Sequence, residues 1–157
     1  MIENKNELIY SLNQSILDLK SVIDTSISTN TENSKEVYYK LGSTLLWIGS
    51  CLDRLKKCNQ KFSPEENKYV KAFMGAYIAQ KHSIKLFKFD DFIYGNILDA
   101  PLPCILGPGD YFWVSLEEDV IDWSKLIKVY NKVLKGKSIL PEIEKIEDII
   151  IQYINNY

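Results

Sequence analysis

Only one histidine, His82, and one arginine, Arg54, occur in this chain of 157 residues, and the scarcity limits its chemistry. A Ser-His-Asp or Cys-His arrangement has to use His82, and no nucleophile elbow surrounds it. The seven glycines are scattered and form neither a G-x-G-x-x-G fingerprint nor a P-loop, so no phosphate cradle is encoded in a single loop. Three cysteines, Cys51, Cys58 and Cys104, contain no C-x-x-C pair. Together with His82 they stand at spacings foreign to zinc modules, so neither a metal nor a cofactor is expected. Cys51 and Cys58 fall on one expected helix, with Cα atoms roughly 10 Å apart, too far for a disulfide; Cys104 falls in an expected loop. No run approaches the ~18 apolar residues of a membrane span. Met1-Ile2-Glu3-Asn4-Lys5-Asn6-Glu7 lacks the basic start and apolar run of a signal peptide. A cytoplasmic location without membrane contact is the expectation.

What is present describes a single globular domain spanning 1–157, with 46% apolar and 25% charged residues. Leu8, Leu12, Ile16, Leu19, Ile23 and Ile27 recur at steps of three and four and predict a first helix from Glu3 to about Ile27. The polar run 28–34 follows as a loop, and Asn33 or Ser34 can cap the next helix. Its stripe is Val37, Leu41, Leu45, Ile48, Leu52 and Leu55, with Tyr38 and Trp47 on the flank. Ser63-Pro64-Glu65-Glu66 carries a capping serine, a proline at the first helical position and a glutamate at the third. A connection of about three residues before it predicts an antiparallel hairpin with a third helix bearing Val70, Phe73, Met74, Tyr77, Ile78 and Lys81.

The period changes after His82. Ile84-Lys85-Leu86-Phe87-Lys88-Phe89 and Tyr111-Phe112-Trp113-Val114-Ser115-Leu116 favour short strands. Between them, Asp99-Ala100-Pro101-Leu102-Pro103 and Gly107-Pro108-Gly109-Asp110 carry the composition of turns. A fourth helix is expected from about Asp122 to Leu134, stopped at Lys135-Gly136-Lys137, and a fifth from Ser138 with Ile139, Ile143, Ile146, Ile150 and Tyr153. The fold expected is mainly α, a four- to five-helix up-and-down bundle with a small inserted β-ribbon formed by parts of 84–89 and 111–116.

Charge is distributed unevenly along the chain. Nine Lys or Arg face two Glu between Arg54 and Lys88, whereas 90–122 holds eight acidic residues and no basic one. The basic block could hold a nucleic-acid backbone, or the acidic segment could fold back and neutralise it. Glu117-Glu118-Asp119 stands near a helix start, where carboxylates favour the dipole. Tyr111, Phe112 and Trp113 suit either ribbon packing or a base-stacking platform.

Phe73-Met74-Gly75-Ala76-Tyr77-Ile78-Ala79-Gln80-Lys81-His82-Ser83 resembles the conserved helix of HEPN domains, helical bundles of bacterial toxin-antitoxin and phage-defence systems, many of them ribonucleases. The active motif in that family is an arginine followed after four to six residues by histidine, often ending Lys-His. Lys81-His82 matches that ending. The aromatic strand Tyr111-Phe112-Trp113 and the Tyr130-to-Lys137 helix junction are similar to a HEPN-like group from bacteria and mobile elements. The arginine positions, however, hold Gly75, Ala76 and Tyr77. The resemblance therefore implies a degenerate motif with His82 as the one catalytic candidate, and Tyr77, Lys81, His82 and Lys85 as candidate binding residues. It also implies a homodimer, with RNA or a cognate protein as partner. His82 fits three roles: a helix-end residue on the C-terminal dipole, a remnant contact, or a general acid-base. The function expected is a catalytically inactive interaction module. The alternatives are a metal-independent ribonuclease with a rearranged site and a regulatory or immunity partner of another protein.

Overall fold

The computed structural model describes residues 2–96, 103–117 and 124–157. Within them the chain runs α1 (Lys5–Thr29), α2 (Ser34–Lys57), α3 (Pro64–Lys81), β1 (Phe87–Asn96), β2 (Pro103–Trp113), α4 (Ser124–Val133) and α5 (Ile139–Asn155). The chain is a helical bundle with a two-stranded antiparallel ribbon between its third and fourth helices. α1 and α2 bury the stripes that their periodicity marks, apart from the half-buried Ile27, and α5 buries Ile139, Ile143, Ile146, Ile150 and Ile154. α5 lies against α1, α2 and α3, and α4 packs on α3.

The helix ends follow from local chemistry. Ser63 Oγ accepts from the Glu66 N–H while the Glu66 carboxylate accepts from the Ser63 N–H at 2.8 Å, completing the capping box. Tyr153 of α5 also donates to Glu66 at 2.6 Å, and these bonds hold the Glu66 carboxyl below its ordinary range. At their C-termini, α1, α2 and α3 stop in the same way. Asn30, Asn59 and Ser83 adopt positive φ, and the next residue donates back to Ser26, Leu55 and Ala79 respectively. These are Schellman closures built without glycine, on residues of which asparagine tolerates the left-handed region best. The closure at Asn59 lengthens the α2–α3 connection to residues 58–63, where about three were expected.

The ribbon also departs from expectation. Its strands pair Phe87 with Trp113, Lys88 with Phe112 and Phe89 with Tyr111, inside the expected segments, but the pairing continues through Asp90–Asp110, Phe92–Pro108 and Ile93–Gly107. Gly107-Pro108-Gly109-Asp110 is therefore strand, where turns were expected, and Cys104 lies in β2 rather than in a loop. A two-stranded ribbon has only edge strands, so proline costs it no central ladder bond. At Gly109 the strands come so close that a Cβ would stand 2.3 Å from the Asp90 carbonyl oxygen, which only glycine permits. The part of the expected turn at 99–102 lies outside the described residues.

Tyr111 and Trp113 are buried completely. Trp113 meets Phe73 and Tyr130 edge-on, with ring centroids 5.9 and 6.1 Å apart. The Tyr111 hydroxyl accepts from the Asn33 N–H at 2.7 Å and shares a bond with Ser26 at 2.8 Å, which fastens the α1–α2 loop to the ribbon. Tyr130 donates to the Val114 carbonyl at 2.8 Å, and burial pushes its phenol well above the usual range. These two aromatics are core, not a base-stacking platform.

α3 differs most from its sequence pattern. Its buried residues are Ala72, Phe73, Gly75, Ala76 and Ala79, while Val70, Met74, Tyr77 and Ile78 are half-buried. Small side chains let a helix approach its neighbours closely, and here closeness has decided which face turns inward. The larger side chains are left along a seam at the surface.

Candidate functional site

The seam between α2 and α3 carries the candidate site. The two helices run antiparallel and meet over glycines of α2. A Cβ at Gly42 would stand 2.8 Å from Gln80 Nε2, and one at Gly49 would stand 2.9 Å from the Tyr77 ring. The Gln80 and Tyr77 side chains fill the space over these two glycines, and beside Gly42 a groove of about 480 Å³ lies between Tyr38, Tyr39, Ser43 and Leu46 on α2 and Tyr77, Gln80 and Lys81 on α3. Tyr39 is 68% and Leu46 51% exposed along it. Lys81 Nζ lies 5.2 Å from the Tyr77 ring centroid, and Lys40 Nζ 5.6 Å from that of Tyr39, both within cation–π range. Further along the seam, Leu52, Asp53, Lys56 and Phe62 face Asn67, Val70, Lys71 and Met74 around a second hollow of about 340 Å³ that reaches Leu126 of α4.

Of the four candidate binding residues, the structure brings Tyr77 and Lys81 together in the groove. His82 is the C-cap of α3, its N–H donating to the Ala79 carbonyl at 3.1 Å, with an exposed side chain that is not part of the groove wall. Lys85 lies apart, beside a smaller hollow with Ile84, Ser115, Leu116, Glu117 and Ile127.

Packing closes two of the three positions, 75 to 77, to which the resemblance assigns an arginine, while the third, Tyr77, is half-buried on the groove wall. Gly75 packs on α4, where a Cβ would meet the Leu126 carbonyl oxygen at 3.1 Å, and Ala76 is fully buried. Neither site admits a guanidinium. Arg54 donates to the Glu3 carbonyl at 2.9 Å, and lines a separate hollow with Ile2, Glu3, Lys57 and Cys58. Gly42 lies opposite Gln80, so Arg54, twelve residues beyond Gly42, is roughly 18 Å along the axis from the end of α3. His82 and Arg54 of one chain do not form an acid-base pair with a phosphate-stabilising cation.

Other reactive groups offer little. Burial pushes the Cys51 thiol up to about 12 despite the nearby Arg54 charge, which leaves it protonated and inert. Among the described residues, no three His, Cys, Asp or Glu side chains cluster to hold a metal ion, and no helix is long and apolar enough to cross a membrane. Lys88 pairs at 3.0 Å with Asp90, two residues along β1, and Lys68 pairs with Glu65 on its own helix, so both pairs are local. Asp99, Glu118, Asp119 and Asp122 lie outside the described residues.

Sequence reading missed the groove because glycines of α2 set the helix approach beside it. Gly42 and Gly49 stand seven apart inside a helix, where glycine is unfavourable by roughly 1 kcal/mol relative to alanine. Two such residues on one face signal a close approach. Neither protein-family models, curated proteins nor solved structures gave a match to this chain.

Proposed function

We propose that this chain is a non-catalytic, HEPN-like interaction module that binds protein through the α2–α3 face. The observation that carries the proposal is the groove itself, where aromatic and aliphatic side chains line a depression at the surface. Exposed apolar surface of this kind marks interaction sites in soluble domains. The reading as an inactive module is supported by the packing at Gly75 and Ala76 and by the separation of Arg54 from His82. The resemblance adds the biological setting, a bacterial or phage defence or toxin-antitoxin system, in the cytoplasm, with a cognate protein or RNA as the other component. It also adds homodimerisation.

Two measurements test the reading. Incubation of pure protein with total RNA should show no cleavage beyond that of His82→Ala; metal-independent cleavage that His82→Ala abolishes would establish instead a ribonuclease with a rearranged site. Sedimentation equilibrium at micromolar protein reports self-pairing, and a single 18.2 kDa species unchanged by salt and concentration would remove the homodimer and leave a foreign partner.

A further inference from the structure

We infer that the α2–α3 groove receives an acidic amphipathic helix of a partner protein, its apolar side against Leu46, Tyr77 and Met74 and its carboxylates toward Lys81, Lys56 and Lys71. This rests on the interaction-module reading and specifies its occupant. Tyr77, Met74 and Val70 follow one another at steps of three and four along one side of α3, so the two hollows belong to one seam. From Gly42 to Asp53 that seam runs about 16 Å, the length of roughly three helical turns. A helix laid in such a groove anchors through residues at i, i+3 or i+4 and i+7.

The charges select the partner. Lys81 stands at one end of the seam and Lys56 and Lys71 at the other, with Asp53 as the acid on its wall. The two glutamates of the basic block are engaged elsewhere, Glu65 with Lys68 and Glu66 with Ser63 and Tyr153. A second copy docked by a two-fold axis would set this cationic rim against itself. Nucleic acid would match the charge but not the lining, which is largely apolar where nucleic-acid interfaces are polar. An acidic amphipathic helix matches both.

A displayed library of amphipathic helices about 18 residues long, with apolar and flanking positions randomised, tests the inference when it is selected on the wild-type protein and depleted on Leu46→Glu. The expected winners carry apolar anchors at i, i+4 and i+7 flanked by Asp and Glu. In fluorescence anisotropy they should lose at least about tenfold in affinity on Leu46→Glu and on Lys56→Glu/Lys71→Glu, and weaken with salt. Circular dichroism should show both variants folded. Winners with basic or neutral flanks, indifference to the lysine changes, or no enrichment would overturn the inference. So would a self-paired wild type that Leu46→Glu turns into monomer, or an RNA oligonucleotide that binds the groove and displaces the peptides. These outcomes leave the interaction module standing in its other forms, whereas His82-dependent RNA cleavage would remove that reading whatever the peptides do.

Discussion

α2 has two seams, and they are built in opposite ways. Toward α1 it is closed. Thr44 donates across to the Ser15 carbonyl at 3.0 Å, and Lys40 reaches Asp18 at 3.4 Å above a continuous apolar stripe. Toward α3 it meets its neighbour through glycines, against which Tyr77 and Gln80 pack, and a groove is left at the surface beside them. The second seam is held at its turn, where Tyr153 bonds Glu66 and Tyr157 donates to Gln60 at 2.9 Å. A helix pair in close contact beneath and hollowed at its surface keeps a fixed groove that costs the core nothing to expose. The closed seam carries stability; the open one is free to carry recognition.

Adjacent residues of α2 give the sharpest test. Leu45 is fully buried and Leu46 is 51% exposed. Leu45→Ala should cost about 2–5 kcal/mol in urea unfolding, through lost transfer energy and the cavity left behind. Leu46→Ala should change stability by no more than about 0.5 kcal/mol. Equal losses at the two positions would erase the distinction between the seams.

Thr44→Val examines the closed seam with little change of shape. It removes the donor to Ser15 while keeping a branched side chain, and a loss of about 1 kcal/mol is expected in the same assay. Ser43→Ala, one residue away on the groove wall, should be close to neutral.

Ser83→Gly acts where α3 leaves the groove. Ser83 holds φ 56° to close the Schellman motif, a conformation that strains any residue with a Cβ. Glycine relieves that strain but adds freedom to the unfolded chain, so a net gain of about 0.5–1 kcal/mol is expected in thermal unfolding. Loss of stability would mean that the serine side chain serves the helix end in some other way.

How much of this was legible in the sequence differs between the two seams for a physical reason. The closed seam is made of large apolar residues at helical spacing, and Leu12, Leu19, Leu41 and Leu45 all sit where their periodicity puts them. The capping box of α3 was equally plain, because a cap depends on four consecutive residues. The open seam depends on the rotation of α3, and that is set by Ala72, Gly75, Ala76 and Ala79 admitting close neighbours. A search for large apolar residues overlooks such positions and assigns Val70, Met74 and Tyr77 to the core. The ribbon was misjudged between 107 and 110 on the same grounds: Pro and Gly signal turns by composition, whereas here they fit a two-stranded edge and a close crossing at Gly109. Of the residues lining the groove, the family resemblance names Tyr77 and Lys81, whereas Gly42, Ser43 and Leu46 emerge only from the packing.

The smallest effect expected concerns the clasp that fastens the open seam, and its pH dependence identifies it. Hydrogen bonds from Tyr153 and Ser63 lower the folded-state value of the Glu66 carboxyl, and the bond to Glu66 raises that of the Tyr153 phenol. A carboxyl with a depressed folded value contributes stability above its unfolded value near 4.3, and the contribution is lost as pH falls through the folded value. Tyr153→Phe should therefore lower the unfolding midpoint at pH 7 by a few degrees at most, since the pair is close to solvent. The gap between variant and wild type should close in acid, as pH falls through the depressed folded value of Glu66 in the wild type. Glu66→Gln should show the same convergence while also weakening the cap of α3. A gap that stays constant from neutral to acid pH would mean that Tyr153 acts through its ring, which packs edge-on against Phe62 at 4.9 Å, and that the clasp is apolar contact rather than a charge-assisted hydrogen bond.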